Sequence, residues 1–379
     1  MTDAAVIPVV AAGVTQQISG TNLKTYFGNS TTWALLNDKT GAAGPTIIAL
    51  GQNAGLDGQA NAAIALGQYA GQGGQGAAAI SIGQNAGANT TQGSGAVAIG
   101  VSTGFDAQGQ YSVAIGAFTA ATLQGSRSVA IGLSSGQTTQ GTDSVAIGQY
   151  AGNEIQGANS VAIGNNAGYT GQGASAVAIG DNAGETSQGV QAVAIGQQAG
   201  ETSQGNYAVA LGFQAAITSQ GIGGVAIGRE AGNAQGAYAV AIGQEAGFAG
   251  QSSGAIAIGL EASETNQGED SVAIGYQAGR ENQGDNAVAI GAQAGETAQG
   301  DAAVAIGRQA GQTSQANNSI ILNATGSALD QTTANTFTVK PVRAVANVTF
   351  AAPDSGSVPA GFSPMYYNPT TGEIIVITT

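Results

Sequence analysis

Residues 113–132 read VAIGAFTAATLQGSRSVAIG, which is one full repeat unit followed by the start of the next. In Val113-Ala114-Ile115 the two β-branched residues are one residue apart, so in a strand they share one face and the alanine takes the other. A helix is disfavoured because Gly116 and the other glycines of the unit would each cost a helix about 1 kcal/mol. The stretch therefore predicts a short β-strand that ends at a glycine corner.

The same phrase recurs along most of the chain with a period of 16 residues. Its last glycine lies at 51, 67, 83, 100, 116, 132, 148, 164, 180, 196, 212, 228, 243, 259, 275, 291 and 307. One residue is added at 88–91 and one is missing at 233–234, both in the same connecting segment, which we interpret as a loop. The sequence predicts an all-β fold, a parallel β-solenoid (β-roll) of about 17 coils over residues 46–323. Residues 1–45 are expected to form an N-terminal cap or attachment segment, and residues 324–379 a strand-rich C-terminal module.

Two columns of small residues mark the corners of the coil. We number the unit from its valine, so that positions 1 to 4 read V-A-I-G, and the consensus continues with alanine at position 7, glycine at position 8, glutamine at position 12 and glycine at position 13. Position 4 is glycine in all seventeen full copies and Asn323 in the degenerate last copy, which predicts a left-handed backbone there. At position 8 glycine is replaced only by Ala120, Ala216 and Ser263, so we expect small size to matter as much as backbone freedom.

Position 12 is glutamine in all seventeen copies. Equivalent residues of stacked coils lie about 4.8 Å apart, so identical side-chain amides can form a hydrogen-bonded ladder that also satisfies the backbone of the turn. We interpret the column as structural rather than catalytic. The predicted ladder includes Gln108, Gln124, Gln140, Gln156, Gln172, Gln188, Gln204 and Gln220.

A single coil is too small to be stable by itself. It contributes two aliphatic side chains and some alanines, which does not offset the entropy of ordering 16 residues, so stability must come from stacking. We expect the Val/Ile column to be buried inside a rod of about 80 Å. The alanine at position 2, replaced only by Ser81, would then form an outer apolar stripe. An exposed stripe of that length predicts packing against identical chains, and three chains about one axis is the solution we favour.

Composition excludes several classes of function. The chain has no cysteine and no histidine, which removes disulfides, thiolate chemistry, Ser-His-Asp triads and histidine-bound metals. Its 8 basic and 22 acidic residues give a net charge of −14 and no basic stripe for nucleic acid. No apolar run approaches the ~18 residues of a membrane helix, and the N-terminus lacks the composition of a secretory signal. We expect no enzyme activity, no cofactor, no bound metal and no membrane insertion.

The S-V-A-I-G phrases at 112–116, 128–132 and 160–164 resemble the head repeat of trimeric autotransporter adhesins (YadA-like). This resemblance covers roughly residues 46–323 and implies a trimeric parallel β-roll used for attachment. The C-terminal segment 324–379 resembles the terminal pieces of viral and phage fibre proteins. Together they predict a homotrimeric fibre or adhesin shaft, on a virion surface or otherwise extracellular, that binds itself and a host surface glycan or protein.

Two alternatives stay open at this stage. One is the head fragment of a bacterial trimeric adhesin, and the other is a polysaccharide-degrading tailspike, because glycosidases use two carboxylates roughly 5 to 10 Å apart. The carboxylates of the loop positions are Asp181, Glu185, Glu201, Glu230, Glu245, Glu261, Glu264, Glu281 and Glu296. Tyr111, Tyr207 and Tyr238 share position 15, where they either stack on sugars or pack over neighbouring coils.

Overall fold

The computed structural model describes residues 47–342 in full, and beyond them the backbone of five short strands. These five are Ile7–Ala11, Val14–Ile18, Trp33–Ala34, Met365–Tyr367 and Glu373–Val376. The chain divides into two compact units, residues 1–171 and 172–379. The described parts of both units contain β-strands and turns and no helix. Each unit is a parallel β-solenoid with a 16-residue spacing, and the two units together contain eighteen V-A-I-type strands from Ile48 to Asn323.

The first unit contains two parallel sheets. The sheet formed by the V-A-I strands, called the VAI sheet below, contains Ile48–Leu50, Ile64–Leu66, Ile80–Ile82, Val97–Ile99, Val113–Ile115, Val129–Ile131, Val145–Ile147 and Val161–Ile163. The second sheet, called the Gln sheet because each strand ends in the position-12 glutamine, contains Ala107–Gln108, Leu123–Gln124, Thr139–Gln140 and Ile155–Gln156. Equivalent residues pair across coils, as Ala114 does with Ala130, so the register is one repeat per coil.

The second unit repeats this arrangement. Its VAI sheet contains Val177–Ile179, Val193–Ile195, Val209–Leu211, Val225–Ile227, Val240–Ile242, Ile256–Ile258, Val272–Ile274, Val288–Ile290, Val304–Ile306, Ile320–Asn323 and Phe337–Lys340. Its Gln sheet contains Ala249–Gln251, Thr265–Gln267, Glu281–Gln283, Thr297–Gln299, Ala310–Gln315 and Leu329–Gln331.

Antiparallel strands end the parallel stack of the VAI sheet in each unit. Trp33–Ala34 pairs antiparallel with Ile48–Leu50 in the first unit. In the second unit Glu373–Val376 pairs antiparallel with both Phe337–Lys340 and Met365–Tyr367. An antiparallel strand occupies the hydrogen-bonding edge that a further parallel coil would use.

The corners of the coil are left-handed, and more of them exist than the glycines indicate. The predicted corner at position 4 is confirmed, with φ between 109° at Gly307 and 141° at Gly116. At position 8 the replacements keep a left-handed conformation, with φ of 46° at Ala120 and 49° at Ser263. Positions 6 and 15 are also left-handed in every full copy although they carry mostly non-glycine residues, for example Phe118 with φ 55°.

Asn323 differs from the prediction. It has no positive φ and is the last residue of strand Ile320–Asn323, so the left-handed corner is absent from this degenerate copy. Its side-chain amide instead donates to the backbone carbonyls of Arg308, at 2.9 Å, and of Ser327, at 2.7 Å. Asparagine suits this position because its side chain satisfies the backbone of the terminal turn rather than because of its φ tolerance.

Each coil donates backbone hydrogen bonds to both of its neighbours. The N–H groups of Gly116 and Phe118 donate to the preceding coil, both at 2.9 Å, to the carbonyls of Ile99 and Val101. The N–H of Val113 donates to the following coil, to the carbonyl of Ser128, also at 2.9 Å. Successive N–H groups of an extended strand point to opposite sides, so positions 1 and 4 serve opposite neighbours.

The predicted orientation of the VAI strand is wrong. The alanine at position 2 points into the coil and is fully buried, as at Ala114 and Ala130, whereas Ile115 and Ile131 at position 3 are each 36% exposed. The interior is narrow, because the amide of Gln140 reaches across it and donates to the carbonyl of Val129 on the opposite strand at 2.8 Å. Small side chains, chiefly alanine, fill it together with the glutamine column, so the branched side chains must face outward. The alanine stripe that we expected outside is the core.

Candidate interaction surface

The position-12 glutamines lie inside the coil. Except for Gln59, they are at most 4% exposed. Gln188 shows the common geometry, because its Nε2 donates to the carbonyl of Val177 across the interior at 2.8 Å and to Oε1 of Gln204 in the next coil at 3.1 Å. One amide thus links the two sheets of its own coil and also links two successive coils.

The amide-to-amide bonds run in one direction along each unit, from each glutamine to the next coil. They join Gln59 to Gln75, Gln75 to Gln92, Gln92 to Gln108 and Gln124 to Gln140 in the first unit. In the second unit they run from Gln172 to Gln251 through Gln188, Gln204, Gln220 and Gln235, and from Gln267 to Gln315 through Gln283 and Gln299. The buried Oε1 atoms of Gln124 and Gln267 lack a donor, so the chain of bonds is interrupted there. These neutral, buried amides hold the coil together and have no access to a substrate.

Over its eighteen V-A-I-type strands, the VAI sheet has an aliphatic outer face. Positions 1 and 3 are valine, isoleucine or leucine in all eighteen copies, and we call these outward side chains the aliphatic stripe. At position 3 the exposed fraction reaches 41% at Leu211 and 39% at Ile306. A long apolar surface without a charged residue is typical of a protein-protein contact. The stripe is present in each of the two units.

Three tyrosines follow one edge of the aliphatic stripe, two residues before the valine of the next coil. Tyr111, Tyr207 and Tyr238 are 66%, 60% and 70% exposed. The rings of Tyr111 and Tyr238 lean on the preceding coil, because a Cβ added to Gly95 would be 2.8 Å from Cδ1 of Tyr111, and a Cβ added to Gly223 would be 2.9 Å from Cδ1 of Tyr238. Tyr111 and Tyr238 therefore pack on the preceding coil, and all three tyrosines keep most of their surface exposed.

Large apolar residues also follow the opposite edge, just beyond the position-4 corner. Val101, Phe118 and Leu133 lie at positions 5 or 6 of three consecutive coils and are 45%, 46% and 41% exposed, and we call them the corner cluster. Most other copies carry Gln, Asn or a charged residue there. In the same unit the rings of Tyr150 and Tyr169 meet edge to face with centroids 6.1 Å apart. Apolar residues recur at position 5 only irregularly, at Phe213, Leu260 and Tyr276 of the second unit, so neither feature forms a column that the repeat pattern would show.

Three of the four solenoid arginines pair with carboxylates of neighbouring coils. Arg127 binds Asp143 at 2.6 Å, and this pairing holds the pKa of the Asp143 carboxyl below its usual range. Arg229 pairs with Glu245 at 2.8 Å, and Arg280 with Glu264 at 2.7 Å. These three positive charges are therefore compensated within each unit.

Among the candidate carboxylates, the structure brings Glu185 and Glu201 together on adjacent coils. Partial burial, followed by the charge of Glu201 and a hydrogen bond to it, raises the pKa of Glu185. Within residues 47–342, no group of three or more acidic side chains is placed to hold a metal ion. The described strands and turns also include no helix suited to crossing a membrane.

Comparison with known protein families finds a match to one family model. The model of the YadA head domain repeat (2 copies) matches residues 107–135, 156–167, 187–215 and 283–310, which is about a quarter of the chain. The matched segments contain V-A-I strands and the glycine corners that follow them. No curated protein and no solved structure matches the chain.

Proposed function

From the premise that this chain carries YadA head domain repeats, we propose that it is the shaft of a homotrimeric attachment fibre on a virus or phage particle. The repeats themselves are of an adhesin type, which agrees with a surface-exposed fibre. The trimer, the virus or phage particle and the host surface as target are the parts of this function that we propose beyond the repeats.

The aliphatic stripe is the observation that carries the proposal. It replaces the alanine stripe as the seam between chains, and it supplies larger side chains for the same purpose. Its ridges repeat once per coil, at about 4.8 Å, along each unit. A second copy of the chain has the same period, so its ridges can match the stripe over many coils, which an ordinary globular surface cannot do. A closed arrangement of three identical stripes about one axis then removes the stripe from water.

The mechanism of attachment is mechanical and multivalent. A stacked solenoid is stiff because every coil is bonded to both neighbours, and a trimer presents three copies of any contact residue at once. Weak individual contacts then combine through effective concentration. Tyr111, Tyr207 and Tyr238 are the contact residues we propose for a host surface glycan or protein, since their rings are apolar and most of each side chain stays exposed.

We propose that the chain is not an enzyme and does not bind nucleic acid. The glutamine column is neutral and internal, the charge of Glu201 disfavours ionisation of Glu185 and so raises its pKa, and Arg127, Arg229 and Arg280 are occupied by carboxylates. Incubation with a capsular polysaccharide should release no new reducing ends. Release that disappears on Glu185→Gln or Glu201→Gln substitution would favour the tailspike alternative.

Immunogold electron microscopy tests the proposed location. An antibody raised against the purified chain should label fibres on virus or phage particles. Label confined to the surface of bacterial cells, with unlabelled particles, would favour the alternative of a bacterial trimeric adhesin, which the YadA head repeats also support.

A further inference from the structure

Arg308 differs from the other arginines of the solenoid. It is an exposed residue at position 5, two residues beyond the end of strand Val304–Ile306. No carboxylate within residues 47–342 forms an ion pair with it, whereas the other three arginines each pair with a carboxylate of a neighbouring coil. Its guanidinium is therefore available to a partner outside the chain.

A carboxylate without a cation lies at the opposite end of the same strand. Asp301 is exposed at position 14, three residues before Val304. Its Oδ1 accepts from the backbone N–H of Asp285 in the preceding coil at 3.2 Å, and its Oδ2 accepts from Nδ2 of Asn317 in the following coil at 3.4 Å. These contacts hold the carboxylate in place, but no basic residue within residues 47–342 pairs with it. One strand thus carries opposite, uncompensated charges at its two ends.

The two charges do not neutralise each other within one chain. The backbone of Val304–Ile306 is extended and rises about 3.3 Å per residue, so it keeps the two ends of the strand about 10 Å apart. An ion pair needs its charged atoms within about 4 Å, and Arg308 and Asp301 of one chain form none. The partner of each must therefore come from another molecule.

A closed ring of three chains brings the two ends of this strand together. The aliphatic stripes face the axis, so the strands of the VAI sheet run around that axis and the end of each strand approaches the start of a strand in the next chain. Rotation about a closed axis includes no shift along it, so the approaching strand is the same strand of the next copy. We infer that Arg308 of each chain forms an ion pair with Asp301 of the next chain, once at every seam. This inference rests on the proposed trimer and names residues that join its chains.

Arg229 supports this assignment by contrast. It occupies the same position 5, but the residue at position 14 before its strand is Ile222, which is uncharged and 48% exposed. Arg229 is instead paired within its own chain, with Glu230 at 3.2 Å and Glu245 at 2.8 Å. Of the two arginines at position 5, the one left unpaired is the one whose strand begins next to a carboxylate.

The surroundings of the seam favour the pair. Ile306, on the stripe between Asp301 and Arg308, is 39% exposed and is covered when the next chain packs on it. This packing excludes water from one side of the ion pair, and a lower local dielectric constant strengthens the attraction. Asp285 occupies the same position one coil before Asp301, about 4.8 Å away, and adds to the negative potential that Arg308 meets.

Charge exchange between mixed chains tests the pair. One full-length variant carries Asp301→Arg and has two positive strand ends, and the other carries Arg308→Asp and has two negative strand ends. A trimer of one variant places like charges at every seam, whereas a mixed trimer has two attractive seams and one repulsive seam. The two variants, one of them isotope-labelled, are unfolded together, refolded and analysed by native mass spectrometry. Circular dichroism reports whether each variant is folded.

We expect mixed trimers to predominate. Statistical assembly gives about three mixed trimers for each trimer of a single variant, and charge pairing should raise this ratio at least tenfold, which corresponds to about 1.4 kcal/mol. The ratio should fall towards the statistical value in about 1 M NaCl, where the screening length is about 3 Å.

Arg127→Asp and Asp143→Arg provide the matched control. They exchange the same residue types, so their net charges equal those of the test variants, but this ion pair lies within one chain at 2.6 Å. Their mixture should give the statistical ratio. A second measurement needs no mixing, because the double variant Asp301→Arg with Arg308→Asp restores the pair in reverse. Its trimer should dissociate at the same urea concentration as the parent trimer, above that of either single variant.

Three results would overturn the inference. The test variants form trimers of statistical composition, the control variants mix with the same preference, or the trimer of the double variant dissociates as early as those of the single variants. A parent of single-chain mass in light scattering would contradict the proposed trimer as well, so failure of the proposed function is distinguished by mass.

Discussion

Two glycines of one coil provide a sharp test of the stacked fold. Gly196 at position 4 has φ of 128°, and a Cβ added there would lie 2.5 Å from the backbone carbonyl oxygen of Gly212 in the next coil. Gly200 at position 8 has φ of 54°, and its added Cβ would lie 3.0 Å from the side-chain amide of Gln204 and 3.3 Å from Cβ of Ala194. The next coil already carries Ala216 at position 8, with φ of 51°. The same change to alanine should therefore have different consequences at the two sites.

Gly200→Ala should lower the free energy of unfolding by about 1 to 2 kcal/mol, the cost of a left-handed alanine. Gly196→Ala adds overpacking against a backbone that cannot rotate away, about 1 to 3 kcal/mol more, for a total of about 2 to 5 kcal/mol. Urea unfolding followed by far-UV circular dichroism measures both variants beside the parent. Equal denaturation midpoints for the two variants would refute the close stacking of position-4 glycines on the next coil.

Three further substitutions probe the interior and its charges. Ala130→Leu should destabilise the chain by about 1 to 3 kcal/mol or prevent folding, because Ala130 is fully buried. The control Ala117→Leu, at a partly exposed corner, should have little effect. Equal melting temperatures for the two variants would contradict the narrow core. Gln188→Leu leaves the carbonyl of Val177 and the amide oxygen of Gln204 without their donor. We expect the free energy of unfolding, measured in urea, to fall by about 2 to 4 kcal/mol. A fall below about 0.5 kcal/mol would contradict the structural role of the glutamine ladder. Glu185 has a raised pKa in the folded chain, so folding favours its protonated form. The protonated form therefore stabilises the fold. This contribution is full below the ordinary pKa of 4.5 and is lost as the pH rises through the pKa of the folded chain. Glu185→Gln should therefore raise the melting temperature at pH 7 and not below about pH 4, and a gain that is independent of pH would count against this reasoning.

The period, the strands and the position-4 corners followed from the sequence because each is a repeated chemical requirement. Gly116 and its equivalents are needed both for a positive φ and for room beside the next coil, so no other residue replaces them in a full copy. The glutamine column is equally strict for a comparable reason, since each amide bonds across and along the coil. A residue type that never changes along the repeat, as at positions 4 and 12, therefore indicates a position where two structural requirements must be met at once.

The orientation of the VAI strand could not be obtained from alternation alone. Alternation shows that Val113 and Ile115 share a face opposite to Ala114, but it does not say which face is inside. The usual preference for burying the larger residue gives the wrong answer here, because the width of the interior depends on how sharply the coil turns. Some of these turns lie at positions 6 and 15, where residues such as Phe118 and Tyr111 adopt a left-handed backbone without a glycine to reveal it.

Side-chain clusters that do not form a column also could not be predicted from the sequence. Phe118 and the aromatic pair of Tyr150 and Tyr169 have no aromatic equivalents in most coils, so they form no column when the coils are aligned. Their proximity to neighbours depends on the one-coil register of the stack and on the path of the corner. The pairing of Glu185 with Glu201 was foreseeable from their shared position, yet the raised pKa of Glu185 depends on its partial burial.

Light scattering of the purified 36.6 kDa chain tests most directly the claim that the aliphatic stripe joins copies of this chain. We predict a mass near three chains for the parent, and a single-chain mass for a variant with Ile115→Asp and Ile131→Asp on the stripe. A parent of single-chain mass that remains folded by circular dichroism would contradict it, since the stripe would then be stable in water without a partner.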